Sequence, residues 1–350
     1  MVKAVDLYLE ASDASENTRA EFDELARALP TLPSDPHDAL VETSSWLKKE
    51  GFGYDFKNFT VQDVLEKRAG NCLGTPLLIG ALLDSRGVTF TPRVLVNPRD
   101  IISTEERKFV ERYHQDIRYD QPNLVDPSVE TSFEDSLGYR FVPLEHLVLV
   151  AGGRAFETTS ESGEVKGGES EKDITYDQAV SFVLKDRAIE ELKTGDVEEA
   201  RKLAIRGLVH WPRNRELHYT RATIEADSGD SAAAHRLLEA YNGFEGNDSL
   251  FHYNAFFINR EPASLDKALK IYPEFAPALA EKAATIVESD PREAKFLFGL
   301  ASNMYSQSGM LSLRDFYAAH SRALGKLFGS QTINTRLRSY LKAGQPQKVK

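Results

Sequence analysis

Residues 68–88 read RAGNCLGTPLLIGALLDSRGV, and their composition predicts a buried helix that begins beside a cysteine. The run from about Leu73 to Ser85 is apolar on nearly all sides, which is typical of a helix enclosed by the rest of a fold. Cys72 then lies at the N-terminus of this helix, where unpaired N–H groups and the helix dipole favour a thiolate. Because the thiolate is the nucleophilic form of the side chain, Cys72 is a candidate nucleophile.

The composition of the whole chain indicates two globular domains. Its 350 residues exceed the size at which a single hydrophobic core usually keeps growing, and 41% of them are hydrophobic. The 54 acidic residues outnumber the 43 lysines and arginines, and the net charge of -11 repels phosphate backbones and anionic lipid. We therefore expect no nucleic acid and no membrane as a partner. Since no apolar run is long enough to cross a bilayer and the N-terminus lacks a signal pattern, we expect a cytoplasmic protein.

Cys72 is the single cysteine of the chain, which limits what it can do. It has no partner for an internal disulfide and no second thiolate for a zinc cluster. The histidines apart from His146 show no spacing typical of metal ligands. We therefore expect the protein to need neither a metal nor a cofactor.

The residues around the cysteine helix predict a first domain of the α+β class over 1–160. Helical patterns run from about Asn17 to Leu29 and from about Ala39 to Lys49, and Thr60 is placed to cap the helix TVQDVLEKRAG. The later segment TFTPRVLV alternates in polarity and predicts a strand. The stretch ESGEVKGGESEK is rich in Gly, Ser and Glu, so we assign 161–173 to a linker.

The sequence EHLVLVAGGRAFETTS, residues 145–160, predicts a β-hairpin with a Gly-Gly turn. If the two glycines at 152–153 form the turn, the strands pair so that His146 and Glu157 are diagonal neighbours on one face. Their backbones would then lie ~7–8 Å apart, within reach of a hydrogen bond between imidazole and carboxylate. Such a bond orients the base that a cysteine nucleophile needs.

After Tyr176 the periodic segments are helical, and the sequence repeats at a spacing of 34 residues. The repeated pairs are Gly195/Gly229, Asp196/Asp230, Ala200/Ala234, Leu203/Leu237, His218/His252 and Tyr219/Tyr253. A Gly-Asp turn between amphipathic helices predicts an all-α domain of helix pairs over 174–340, followed by a flexible tail at 341–350. We expect the repeated alanines and leucines at 200, 203, 234 and 237 to be buried.

The stretch quoted first resembles the cysteine helix of transglutaminase-like proteins, in which Gly-x-Cys opens a buried helix closed by Arg-Gly and an aliphatic residue. In that family a β-hairpin supplies the catalytic histidine from its first strand and an acid, usually Asp, from its second. HLVLVAGGRAFETTS is similar in layout, and the resemblance implies that His146 is the catalytic histidine and Glu157 the acid. The repeats resemble tetratricopeptide repeats, which follow this domain in some bacterial members of the family.

The resemblance implies an enzyme that acts on an amide or acyl bond through an acyl-enzyme at Cys72, with His146 as general base. Hydrolysis, deamidation and transfer to an amine all remain open, because the outcome depends on whether water or an amine reaches the intermediate. We expect the Cys72 N–H to be the first donor to the oxyanion and the side chain of Asn71 or Gln62 to be the second.

Two other functions are compatible with the same sequence. A catalytically silent first domain would leave a scaffold that binds a protein or peptide through its helical repeats. The repeats would serve the enzyme in the same way, as the contact to a protein or peptide substrate. A single exposed cysteine of low pKa is also typical of a redox sensor.

Overall fold

A computed structural model of the chain describes residues 3–55, 57–96, 145–159, 163, 165, 170–245, 249–259, 261–307, 318–322 and 324. The structure belongs to the predicted α+β class, with small sheets in the first part of the chain. Among the described residues, those up to Ile224 form one compact unit and those from Glu225 onwards form another. None of the helices in these residues combines the length and the hydropathy that crossing a membrane requires.

The residues in front of several early helices explain where these helices begin. The side chains of Ser15, Asp35 and Thr60 each accept a hydrogen bond from the backbone N–H three residues further on, which caps the following helix. Thr60 is the cap that the sequence predicts. The helices are α1 (Ala4–Ala11), α2 (Glu16–Ala28), α3 (Pro36–Lys49), α4 (Val61–Lys67) and α5 (Gly74–Ser85).

The strands of the first unit form two sheets in the part of the chain that is described. β1 (Gly53–Tyr54) pairs in parallel with β2 (Ala69–Gly70), directly ahead of the cysteine. The larger sheet is antiparallel, with the strand order β5-β4-β3-β6. Its strands are β3 (Thr91–Val96), β4 (Glu145–Ala151), β5 (Arg154–Phe156) and β6 (Ser170–Asp173). The strand predicted at TFTPRVLV and the predicted hairpin are thus both present.

Helix α5 is enclosed, as its apolar sequence predicts. Its side chains of 1% exposure or less include Leu77, Leu78, Ile79, Ala81, Leu82 and Leu83. A Cβ at Gly74 would lie 2.8 Å from the carbonyl oxygen of Asn58, so only glycine lets that carbonyl approach the start of the helix. The same carbonyl accepts a hydrogen bond from the Asn71 N–H at 2.9 Å, which holds the turn that carries Cys72.

The predicted linker over 161–173 is wrong at its C-terminal end. Residues Ser170–Asp173 form β6, which pairs with β3 at the edge of the larger sheet. The guanidinium of Arg93 in β3 contacts the carboxylates of both Glu171 and Asp173. Because an edge strand with exposed, charged side chains has the composition of a linker, the sequence pattern does not distinguish the two.

The first unit also extends beyond the predicted domain boundary at residue 160. It includes α6 (Tyr176–Thr194), α7 (Val197–His210) and most of α8 (Arg215–Asp227), which the sequence assigns to a separate repeat domain. The Tyr176 hydroxyl donates to the Leu77 carbonyl of α5 at 2.7 Å, and Arg187 donates to the Ala11 carbonyl of α1 at 2.8 Å. These helices therefore share the hydrophobic core that encloses α5.

In its described residues, the second unit is built from helices. Its described helices are α9 (Ser231–Glu245), α10 (Ser249–Asn259), α11 (Pro262–Ile271), α12 (Ala276–Ile286) and α13 (Pro291–Gln307). After Asp173 no strand occurs in the described residues, as the periodicity predicts. Neighbouring helices in sequence pack on each other, α10 on α11 and α12 on α13.

Three of the four repeat positions predicted to be buried are buried. Ala200, Leu203 and Ala234 are each 0% exposed. Leu237 is only half-buried, and its neighbour Leu238 is buried instead. The buried stripe of α9 passes through positions 234, 238 and 241, which places position 237 at its border.

Some predictions lie outside the described residues. These are the predicted tail at 341–350 and the repeat region at 308–317 and 325–340. The segment 97–144 between β3 and β4, which separates Cys72 from His146 in the sequence, also lies outside them.

Candidate active site

The hairpin between β4 and β5 has the two-residue turn that the sequence predicts. Ala151 pairs with Arg154, and the two glycines between them have φ angles of 57° and 75°. Positive φ at both central residues is the conformation of a type I′ turn, which suits glycine and matches the twist of the strands. The register that puts His146 and Glu157 on one face is therefore set by this turn.

His146 and Glu157 meet as the register predicts. His146 Nε2 contacts Glu157 Oε2 in a short hydrogen bond. Both residues are buried, His146 with 5% and Glu157 with 1% of its surface exposed. Since a buried ionisable group is unfavourable without a partner, each side chain depends on the other to remain charged in this position.

Cys72 lies in the turn between β2 and α5, with its side chain partly exposed. The Asn71 side chain fixes this turn, because its Oδ1 accepts hydrogen bonds from the N–H groups of Leu73 and Gly74, both at 2.8 Å. The Cys72 side chain lies close enough to His146 to raise the pKa of its imidazole. Because Nε2 of that ring faces Glu157, Nδ1 is the ring nitrogen available to the sulfur.

The electrostatics of the site follow from burial and from these contacts. Burial by itself lowers the pKa of His146, but the interactions with Cys72 and Glu157 outweigh it and raise the pKa to about 10. Burial raises the pKa of Glu157, but hydrogen bonds from His146 and Thr159 outweigh it and bring the pKa below its ordinary value. The pair is therefore imidazolium and carboxylate at neutral pH.

The backbone at the nucleophile leaves one donor for a substrate. In the part of the chain that the structure describes, the Cys72 N–H has no hydrogen-bond acceptor, whereas the N–H groups of Leu73 and Gly74 are both taken by Asn71. This is the predicted first donor to an oxyanion. If the sulfur attacks a carbonyl carbon, the oxyanion that forms would lie close to this N–H group.

The two predicted second donors are differently placed. The Oδ1 of Asn71 caps α5, so only the Nδ2 group of this side chain could donate to an oxyanion. Gln62 is exposed on α4, where its Nε2 donates to Glu66 Oε1 at 2.8 Å one helical turn away. The Gln62 amide is therefore already paired within α4.

Two residues that the sequence does not single out support the site. The Thr159 N–H and hydroxyl both donate to Glu157 Oε1, at 2.8 and 2.7 Å. The Tyr8 hydroxyl donates to the Phe59 carbonyl at 2.8 Å, beside the start of α5. A hydroxyl residue two positions after an acid is a local signal for the first contact, whereas the second joins parts of the chain that are distant in sequence.

The donor set of the site is one nucleophile, one imidazole and one carboxylate. Within the described residues, no three His, Cys, Asp or Glu side chains come together in a way that could hold a metal ion. Without a metal ion, the thiol proton can move to the imidazole and the sulfur can attack an electrophilic carbon.

A scan against protein-family models gives no match to this chain, and a search of the curated proteins gives none either. The chemistry of the site is therefore inferred from its own geometry.

Proposed function

We propose that this protein is a cysteine-dependent enzyme that acts on an acyl or amide bond, with Cys72 as nucleophile and His146 as general base. The observation that supports this most directly is the line of contacts from a partly exposed sulfur to a buried imidazole and on to a buried carboxylate. A cysteine with a merely structural role has no need of an imidazole held charged by an acid.

The reaction follows from the roles of these three side chains. Because His146 is already an imidazolium at neutral pH, the Cys72 sulfur attacks the carbonyl carbon as a thiolate, so that a C–S bond forms and the C=O electron pair moves to the oxygen. The Cys72 N–H donates to this oxyanion. When the C=O bond re-forms, the C–N bond breaks and His146 gives its proton to the leaving amine. Water or a second amine then attacks the thioester, loses its proton to His146 and releases the sulfur.

In this mechanism Glu157 is the acid that orients the His146 ring. Its carboxylate holds the imidazole by Nε2 and stabilises the imidazolium without itself taking the proton. We infer a transglutaminase-like first domain, in which a glutamate takes the place of the usual aspartate. The longer side chain of glutamate still reaches the imidazole because the two residues are diagonal neighbours on the hairpin.

We infer a protein or peptide as the substrate, bound with the help of tetratricopeptide-like helix pairs after residue 174. The repeated Gly-Asp turns support such pairs, since Gly195 and Gly229 both have positive φ and the following aspartates both cap the next helix. Stacked helix pairs present extended surfaces that suit a peptide better than a small molecule.

Labelling with a chloroacetamide that mimics an amide substrate tests the proposal. The wild-type protein should be labelled at Cys72 and Cys72→Ala should not be labelled at all. His146→Ala should be labelled about 10²-fold more slowly at neutral pH or below, because it lacks the imidazolium that stabilises the Cys72 thiolate. The matched control is His235→Ala, since that histidine is exposed on α9 with 52% of its side chain accessible and should leave the rate unchanged.

Glu157→Gln should slow labelling less than His146→Ala does, because it disturbs the orientation of the ring and leaves both the nucleophile and the base in place. If His146→Ala is labelled as fast as the wild type, Cys72 is an ordinary accessible thiol and the enzyme hypothesis is wrong. The scaffold function would then be the better explanation of the chain.

A further inference from the structure

The Glu157 carboxylate is held at both of its oxygens. Oε2 contacts the imidazole of His146, and Oε1 accepts two hydrogen bonds from Thr159, from the backbone N–H at 2.8 Å and from the hydroxyl at 2.7 Å. A glutamate side chain has three rotatable bonds, so one contact at Oε2 would leave the plane of the carboxylate free to turn. With Oε1 fixed as well, only one orientation of the carboxylate remains.

We propose that Thr159 is a positioning residue of the site, which fixes the Glu157 carboxylate so that Oε2 faces His146 and thereby keeps the imidazole directed at Cys72. This inference rests on the proposed function, because it assigns Thr159 a part in the same chemistry. Thr159 acts through Glu157 and has no contact with the reacting atoms of its own.

The local structure explains why a hydroxyl residue is needed at this position. The Glu157 N–H donates to the Gly163 carbonyl at 3.0 Å, and the described pairing of β5 with β4 ends at Phe156. The backbone N–H of Thr159 donates to Oε1, and any residue other than proline at 159 can make that bond. The hydroxyl supplies the second bond, which only Thr or Ser can make from this position.

The neighbouring threonine offers a matched control. Thr158 is 2% exposed, and its buried hydroxyl has no hydrogen-bond partner among the described residues. Replacing that hydroxyl by a methyl group in Thr158→Val removes no contact and should leave the protein folded. Thr159 is only half-buried, so Thr159→Val should also be accepted by the fold. Both variants replace a hydroxyl by a methyl group, and only Thr159→Val loses a hydrogen bond to Glu157.

The test measures the rate of Cys72 alkylation by iodoacetamide at pH 7 in the full chain. We expect Thr159→Val to lower the rate roughly three- to tenfold, the effect of one hydrogen bond to a charged group at a partly exposed position. Thr159→Ser should restore the rate to within about twofold of the wild type, because it keeps the hydroxyl. Thr158→Val should react like the wild type.

The ring nitrogen resonances of His146, observed by NMR in the same variants, form a second readout that does not depend on Cys72. Thr159→Val should shift the Nε2 resonance, and Thr159→Ser and Thr158→Val should not. If Thr159→Val matches the wild type in both measurements, or if Thr159→Ser is as slow as Thr159→Val, Thr159 has no positioning role.

The failure of the proposed function has a different signature. In that case His146→Ala would react with iodoacetamide as fast as the wild type. The Nε2 resonance would still report whether Thr159 orients the pair of Glu157 and His146.

Discussion

His146 and Glu157 are two ionisable groups buried against each other, and the site depends on their staying charged. Removing the charge of one partner would leave the other buried and unpaired, which destabilises a protein far more than the pair stabilises it. The hydrogen bonds from Thr159 to the far oxygen of the carboxylate reduce that penalty, because they satisfy the lone pairs that His146 does not use. The function of the pair is thus to hold one proton in a defined place.

The first prediction concerns the pH dependence of this pair. The pKa of His146 is about 10 in the folded protein, against about 6.5 for an ordinary histidine. A raised folded pKa means that the stabilisation is complete below about pH 6.5 and is lost as the pH rises through the folded value. The His146 ring should therefore stay protonated across neutral pH, and its NMR resonances should not titrate between about pH 6 and pH 8.

Glu157→Gln provides the control for this titration. Without the carboxylate, the contributions of Glu157 that raise the pKa of His146 are lost while burial still lowers it, so the ring should titrate at a lower pH than in the wild type. The resonances are assigned by their loss in His146→Ala. A wild-type ring that titrates like an ordinary histidine would show that the charged pair does not exist in solution.

At the scale of elements, the turn of the hairpin controls which side chains share a face. A side chain changes face with every residue along a strand, so the number of turn residues determines whether Glu157 faces His146. The Gly-Gly pair at 152–153 provides two residues of positive φ and no more. The geometry of the candidate site is therefore as sensitive to the length of this turn as to the identity of the acid.

The second prediction tests this sensitivity. One glycine inserted between Gly152 and Gly153 should slow labelling of Cys72 about as much as His146→Ala does, roughly 10²-fold, because it moves Glu157 to the opposite face. Gly152→Asn is the control, since Asn-Gly is also favoured in a type I′ turn. A Cβ at position 152 would meet the Cβ of His37 at 3.7 Å, an ordinary contact, so this variant should be labelled normally. An insertion variant of normal reactivity would contradict the assigned register.

The third prediction concerns the Gly-Asp turns of the helical region. Asp230 Oδ1 accepts a hydrogen bond from the Ala233 N–H at 2.8 Å and so caps α9. Asp230→Ala should lower the free energy of unfolding by about 1 kcal/mol, and Asp230→Asn should lower it much less because asparagine caps nearly as well. Chemical denaturation of the three proteins measures the difference. Equal stability of the alanine and asparagine variants would show that the cap does not matter there.

In the molecule as a whole, the first helices of the predicted repeat region are part of the unit that holds the candidate active site. Asp13, which follows α1, forms salt bridges with Arg187 of α6 at 2.6 Å and with Arg206 of α7 at 3.1 Å. The same two arginines donate to carbonyl groups at the end of α1. Cationic side chains at a helix C-terminus are favourable, and here they join helices that are far apart in sequence.

The fourth prediction follows from this shared core. A chain that ends at Asp173, at the boundary suggested by composition, should fail to unfold cooperatively, because it loses the helix that covers α5. A Cβ at Gly80 of α5 would lie 2.9 Å from the ring of Tyr176, which shows how closely α6 packs there. A chain that ends at Ser228 retains α6 to α8 and should give a cooperative thermal transition. Cooperative unfolding of the shorter chain would contradict the shared core.

Local patterns in the sequence are enough to predict the features that depend on neighbouring residues. Local sterics and periodicity predict four such features. They are the Thr60 cap, the apolar helix beside Cys72, the Gly-Gly turn and the register of the strands that it joins. The contact between His146 and Glu157 follows as well, because a hairpin register relates residues only eleven positions apart. The alternation of side chains along a strand and the type of a turn depend on neighbouring residues only, so the sequence is sufficient to predict them.

The tertiary structure alone decided the features that join distant parts of the chain. The polar strand β6 has the composition of a linker, and only its pairing with β3 makes it a strand. The contact of Tyr8 beside the start of α5 and the packing of α6 on α5 depend on where the backbone turns in space. The free energy of such contacts comes from burial and hydrogen bonding between segments up to 196 residues apart. No local pattern in either segment reveals the other, and so the extent of the first unit could be known only from the fold.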